Sequence, residues 1–311
     1  MKKVLLTLAL SMIFSTMPLL AQNTGAFPRV NQSDVRIANY YTRYCYSPTL
    51  KNVDVNRIAN VINKLDADIV CIQQLDSCTS RSNKEIQTSK LAELTHMHGY
   101  FMKTVTLKDG GAQGQVILTR DKPLSVQYVQ LPGKIEKRGA VIAEFEKYVI
   151  ASTHFDTETT NRITALTTLK EKLSAYNKTA FISGYFNEGN LNSEFFKKVM
   201  TDWTIQNERV ATENSRKKRE LDFIVSLNGD HNPYCTNTKV VTSLEGLNLI
   251  EASLHYPVFC DFKDLRTTST NILHIDPEQK DNTYYNLQGT KIENPTKTGV
   301  YIHHGKKVLI K

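Results

Sequence analysis

Two histidines, an asparagine and an aspartate sit beside short apolar runs that have the length and composition of strands. They are His154 in Ser152-Thr153-His154-Phe155-Asp156, Asn187 in Ser183-Gly184-Tyr185-Phe186-Asn187, Asp222 in Leu221-Asp222-Phe223-Ile224, and His255 in Leu254-His255-Tyr256-Pro257-Val258. Imidazole and amide N–H groups donate to oxygen acceptors, so His154, His255 and Asn187 suit an oxygen-rich anion. Each also has a plainer use. A histidine after a strand often braces the backbone, Asn-Glu-Gly makes a turn, and Asp222 can cap a loop. For His255 the plainer use is favoured, because Leu254 offers no carboxylate to orient the ring. Two other stretches invite chemistry less strongly. Gly110-Gly111-Ala112-Gln113-Gly114 lacks the lysine and following helix of a nucleotide loop and reads as a turn between strands. Arg216-Lys217-Lys218-Arg219 reads as a solvated basic turn, since no second basic cluster accompanies it.

Three more stretches complete an ordered series: Ile37-Ala38-Asn39-Tyr40-Tyr41, Asp68-Ile69-Val70-Cys71-Ile72-Gln73-Gln74 and Gly111-Ala112-Gln113-Gly114. Taken in order, from about Val35 to Phe262, the series resembles the motif set of the endonuclease/exonuclease/phosphatase superfamily, which includes DNase I-like nucleases, sphingomyelinases and inositol phosphatases. The resemblance implies a divalent metal held by carboxylates, a water activated to attack phosphorus, and His and Asn donors that hold the developing charge. It assigns the catalytic positions to His154, Asn187, Asp222 and His255, with His154 and Asn187 also binding substrate. The sequence departs from the pattern where the chemistry is done. Tyr41 stands where the first motif ends in Asn, Gln74 where the metal-binding Glu belongs, Tyr185 in place of the Asp that orients the attacking water, and Leu254 in place of the Asp before the final His.

Mg²⁺ takes hard, preferably anionic oxygens in octahedral array, and Gln74 offers an oxygen without the charge. No metal ligand set is assigned, and Mg²⁺ is expected only if activity remains. The expectation is therefore a catalytically impaired relative that binds a phosphodiester or another phosphorylated ligand, such as a small molecule or a lipid head group; nucleic acid is not an expected partner. One alternative is an active hydrolase whose metal site is rebuilt around Asp76 or Asp156, with Asp76 on the face of Gln74 if the strand continues. The other is a surface scaffold or adhesin without small-molecule function.

The elements that must position these residues follow from hydrophobic period. Strand-like runs at 35–40, 68–73, 115–119, 125–131, 140–145, 148–152, 179–183, 221–226 and 257–262 alternate with helical patterns at 54–65, 89–98, 161–176 and 193–200. Mixed strands with interspersed helices predict an α/β (α+β) fold, a four-layer sandwich of two mixed β-sheets flanked by helices. The domain is expected over 33–264, a Thr/Ser-rich linker over 265–275, and a short all-β C-terminal tail over 276–311, where Gly289, Pro295, Gly299 and Gly305 read as turns. The tail resembles the sorting-type modules of exported Bacteroidetes proteins, which implies a partner in export or surface-anchoring machinery.

At the other end, Lys2 and Lys3 precede an uncharged apolar run that closes on Leu19-Leu20-Ala21. That is the pattern of a secretory signal at 1–21, so the protein is expected to be secreted, periplasmic or on the cell surface. The net charge of +8 over 311 residues tolerates phosphate ligands without requiring them. Five cysteines make an odd count for an exported chain. Cys45 and Cys71 lie in apolar runs, whereas Cys235 and Cys260 could bridge.

Overall fold

The computed structural model describes residues 26–266, 284–286, 291–292, 295, 298–303 and 306–310. The expected leader, most of the linker and parts of the tail lie outside the described residues. The chain divides into two units, Met1–Thr267 and Thr268–Lys311.

In chain order the first unit holds β1 (Val35–Tyr41), α1 (Val55–Leu65), β2 (Ile69–Ser77), α2 (Gln87–Thr95), β3 (His98–Thr106), β4 (Ala112–Thr119), β5 (Ser125–Leu131), β6 (Arg138–Glu144), β7 (Tyr148–His154), α3 (Thr159–Ser174), β8 (Thr179–Tyr185), α4 (Glu194–Asp202), β9 (Trp203–Ile205), β10 (Asp222–Leu227), β11 (Cys235–Val240), α5 (Leu249–Ala252) and β12 (Val258–Phe262). Two six-stranded mixed sheets result, ordered β11-β12-β1-β2-β4-β3 and β5-β6-β7-β8-β10-β9. In each, one parallel pair crosses over through a helix: β1 to β2 through α1, and β7 to β8 through α3.

Three apolar layers hold the sandwich together. Ile37, Ile69, Ile117, Val141, Ile150, Phe181 and Phe262 fill the space between the sheets. Ile58 and Ile62 of α1, Leu91 of α2 and Leu249 of α5 cover the outer face of the first sheet. Leu166 and Leu169 of α3 with Phe195 and Phe196 of α4 cover the second, together with Trp203. The α/β/β/α layering matches the expected fold class. Alternate residues of β12 show its cause: Val258, Cys260 and Phe262 face the inter-sheet layer while Phe259 faces the helices.

Local sequence fixes the element ends. Asp54 caps α1 by accepting from the Asn56 and Arg57 amides at 2.9 and 3.4 Å. The helix expected over 89–98 instead ends at Thr95, because His96 turns left-handed (φ 54°) and His98 opens β3. Neither β3 nor β11 is expected from the sequence. Both are edge strands, half-exposed or polar, so they lack the apolar alternation that marks a strand. The glycine turn closes β3 onto β4, with Gly110 at φ 85° donating to the Leu107 carbonyl at 3.0 Å.

Inside the first sheet, Arg36 and Asp261 form a bidentate pair at 2.6 and 2.8 Å with both side chains fully buried. The remaining guanidinium hydrogens reach the Phe27 and Leu65 carbonyls at 2.8 Å, and Asn237 donates to the same carboxylate at 3.2 Å. At the C-terminal edge of this unit Leu265 is buried and Arg266 pairs with Asp68 at 2.7 Å, so both residues pack with the domain.

In the second unit β13 (Tyr284–Tyr285), β14 (Lys291–Ile292), β15 (Gly299–His303) and β16 (Lys306–Ile310) form an antiparallel sheet ordered β14-β13-β15-β16. This is the all-β tail that the sequence predicts.

Two outcomes are expected. Asp261→Asn strands a buried guanidinium and should cost about 3–5 kcal/mol in urea unfolding. A chain ending at Arg266 keeps all three layers of the first unit, and its melting temperature should lie within about 3 °C of the full chain by differential scanning calorimetry.

Candidate active site

His154 ends β7, Tyr185 ends β8 and Tyr41 ends β1, while Asp222 opens β10 and His255 precedes β12. The two sheets thus deliver all of them to one edge of the sandwich. Gly184 permits the approach of β7 and β8 there, because a Cβ on it would fall 2.0 Å from the Thr153 carbonyl oxygen.

A buried hydrogen-bonded chain underlies the site and crosses between the sheets. Gln73 Nε2 donates to Asn39 Oδ1 at 2.8 Å, and Ser183 Oγ donates to the same oxygen at 3.3 Å. Asn39 Nδ2 in turn donates to Asp222 Oδ1 at 3.1 Å. The second carboxylate oxygen accepts from Thr212 Oγ1 at 2.5 Å and from His255 Nδ1 at 2.6 Å. His255 is therefore oriented after all, by Asp222 from the opposite sheet, although its neighbour Leu254 is apolar.

His154 and Asn187 make a second couple. Asn187 sits in a left-handed turn (φ 56°), and its amide donates to His154 Nε2 at 2.9 Å and to the Phe155 carbonyl at 2.8 Å. Accepting at Nε2 puts the imidazole proton on Nδ1, which is buried and unpartnered. Only 3% of His154 is exposed, and burial drives its pKa well below the ordinary imidazole value, with Arg138 adding to the effect. Asn187 is thus both the turn residue and a partner of the site, and both its amide hydrogens are used.

Above these groups the rings close on one another. Tyr41 lies 4.5 Å from His255 and 4.9 Å from Tyr185, ring centre to ring centre. Tyr185 stacks on His154 at 4.6 Å and 19°, and meets His255 edge-on at 4.8 Å. Tyr41 is 8% exposed, and its hydroxyl donates to Gln74 Oε1 at 2.8 Å. Burial raises the pKa of both phenols, that of Tyr185 to about 12, so both stay neutral donors.

Among the substituted positions, Tyr41 and Gln74 thus satisfy each other. Tyr185 covers His154, and Leu254 is half-buried with its carbonyl accepting from the Asn214 amide at 2.9 Å. The carboxylates that could rebuild a metal site are committed elsewhere. Gln74 sits in a bulge with φ 62°, which breaks the strand alternation that would place Asp76 on its face. Asp76 is held by Arg81 at 2.6 and 2.8 Å and by Thr79 at 2.7 Å. Asp156 accepts from Asn161 at 2.7 Å and from the Lys134 amide at 2.8 Å. Among the described residues no three His, Cys, Asp or Glu side chains group as a metal would need.

No protein-family model and no curated protein matches the sequence. Solved structures do. An endonuclease/exonuclease/phosphatase from Beutenbergia cavernae superposes with a TM-score of 0.59 at 18% identity, over 74% of this chain and 71% of that one. A family protein from Leptotrichia buccalis gives 0.60 at 12% identity, over 74% and 99%. The fold is that of the endonuclease/exonuclease/phosphatase superfamily. The human Nocturnin catalytic domain, solved with a bound sulfate, is also similar, with a TM-score of 0.57 at 16% identity over 74% of this chain and 93% of that one.

Within this fold His154 and Asn187 are hydrogen-bonded to each other, Asp222 and His255 to each other, and the Tyr185 ring touches both histidines. The sequence reading did not single out Asn39 or Thr212, the partners of Asp222. Asn39 carries a signal, a polar side chain in the middle of the first motif; Thr212 lies in a loop without one.

The neutral, buried state of His154 sets a pH dependence. The unfolded chain takes up this proton near pH 6.5 and the folded one does so only far lower, so the contribution to stability is complete above about pH 6.5 and is lost as pH falls. Between pH 6.5 and 5 this one group should steepen the loss by up to about 1.4 kcal/mol per pH unit. Urea unfolding of His154→Gln over that range should show the shallower slope.

Proposed function

We propose that this chain is a catalytically silent protein of the endonuclease/exonuclease/phosphatase fold that acts by recognition rather than hydrolysis. The observation that carries the reading is the ring cluster of Tyr41, Tyr185, His154 and His255, whose neighbouring centres lie 4.5–6.0 Å apart at the edge that gathers the motif residues. Metal-assisted phosphoryl transfer needs anionic oxygens around a divalent ion and an oriented water. Here the position of the metal-binding carboxylate is the Gln74 amide, already engaged by the Tyr41 hydroxyl. The retained donors are likewise spent on one another, and this favours a role carried by the outer surface over one carried by the old cleft.

A second reading keeps an anion at the rim of the cluster. Arg43 lies within electrostatic reach of Tyr41, Arg219, which also pairs with Glu213, of Tyr185, and Arg138, which faces Glu136 and Asp156, of both Tyr185 and His154. Such a rim favours a phosphorylated small molecule or lipid head group, bound without being split. Among the structural neighbours, a mannosyl-6-phosphatase from Bacteroides thetaiotaomicron (TM-score 0.56, 15% identity, 73% of this chain and 99% of that one) acts on a phosphorylated sugar by its name. Export fits either reading: the apolar run through Ala21 supports a cleaved signal, and the Gly-punctuated tail supports recognition by sorting or anchoring machinery.

The tests separate these readings. The purified chain should not turn over bis-p-nitrophenyl phosphate with Mg²⁺ or Mn²⁺, and a metal-dependent turnover abolished by Asp222→Ala would establish a hydrolase instead. Combining Tyr41→Asn, Gln74→Glu, Tyr185→Asp and Leu254→Asp should create Mg²⁺ binding measurable by calorimetry. Single reversions should create little, because ligands and base act as a unit. Titration with inorganic phosphate decides the second reading: saturable binding weakened at least tenfold by Arg43→Ala or Arg219→Ala supports the rim site, and no heat of binding leaves the surface role.

A further inference from the structure

We infer that Cys235 and Cys260 are a thiol pair that closes to a disulfide between β11 and β12. The register places Cys235 opposite Phe262 and Cys260 opposite Thr238, with the pairing shifted by one residue between Cys235 and Asn237. The two cysteines therefore lie diagonally across the antiparallel pair, on the face that meets the inter-sheet layer; Cys260 is part of that layer and Cys235 packs against it. The Cys235 thiol donates to the Asn237 carbonyl at 3.3 Å and the Cys260 thiol to the Thr238 hydroxyl at 3.4 Å, and the two thiols lie close enough to perturb each other. The other three cysteines are placed differently. Cys45 belongs to the layer beneath the helices, Cys71 is buried between the sheets, and Cys78 is exposed in a left-handed turn.

The pair is asymmetric in the way that thiol–disulfide exchange uses. Cys235 is half-buried on an edge strand, and contact with the Cys260 thiol draws its pKa down, whereas burial pushes that of Cys260 up. Cys235 is accordingly the attacking group. Its thiolate attacks one sulfur of a small-molecule or protein disulfide, forming a mixed disulfide and expelling the other half of the oxidant as a thiol. Cys260 then gives up its proton and attacks the Cys235 sulfur, which releases the second half. Two protein thiols are oxidised, one external disulfide is reduced to two thiols, and no other co-reactant is consumed.

A disulfide needs Cβ atoms about 3.5–4.5 Å apart. β12 is flanked by β1 and β11, while β11 has a free side and already carries the bulge, so β11 can supply the small shift. The ring closed by the bond runs from Cys235 to Cys260 and contains His255.

The test uses the full chain, reduced, freed of reductant and incubated with oxidised glutathione. After quenching in acid, unfolding, alkylation with iodoacetamide and proteolysis, mass spectrometry should find a linked Cys235–Cys260 peptide in the majority of the protein, with Cys45 and Cys71 alkylated. Cys260→Ser should instead accumulate glutathione on Cys235, and Cys235→Ser should leave Cys260 reduced. Stable glutathionylation of Cys235 in the wild-type chain, a bond from either cysteine to Cys78, or full alkylation of both after oxidation would each overturn the proposal. The wild-type result decides even if a variant fails to fold.

Discussion

The hydrogen bond from Asn39 to Asp222 is the point on which the site edge of this sandwich turns. It joins the first sheet to the second at a place where apolar packing gives way to polar side chains. A buried carboxylate is tolerable only if its lone pairs are occupied, and here the strand β1, the Thr212 loop and the His255 segment each supply a donor. Removing any of them leaves charge in a dry layer. The arrangement holds Asp222 and His255 together across the two sheets.

The four departures from the superfamily pattern make sense as one change rather than four. Carboxylates clustered around a missing cation would repel one another and resist burial, so neutral groups are the stable occupants of such a pocket. Gln74 keeps an oxygen acceptor, and Tyr41 supplies the hydroxyl that meets it. Tyr185 adds a ring that stacks on the imidazole of His154, which burial keeps neutral. The pocket is lined by aromatic rings and neutral side chains at the edge where the two sheets meet.

Much of this was legible in the sequence, for identifiable reasons. Central strands such as β1, β2, β7 and β8 are buried on both faces, and their mainly apolar runs announce them. The edge strands β3 and β11 announce nothing, because half-exposed edges alternate weakly and carry polar residues. The residues of the site were readable because they sit at strand ends in a fixed order, whereas their contacts were not. Placing Asp76 beside Gln74 assumed an unbroken strand, and a single left-handed residue in the bulge undid it. His255 looked unsupported from Leu254, since its real partner is 33 residues earlier in the chain and belongs to the other sheet.

The chain has one tryptophan, Trp203, and it is buried in the layer between the second sheet and α3 and α4. Its emission therefore watches a single layer of the sandwich. The 14 tyrosines, by contrast, are spread through both sheets and the tail. Emission excited at the red edge reports the helical back of the second sheet, whereas far-ultraviolet dichroism reports the backbone as a whole. If their unfolding curves coincide the sandwich melts as a unit, and if they part, the difference in midpoint measures how loosely that back is coupled to the rest.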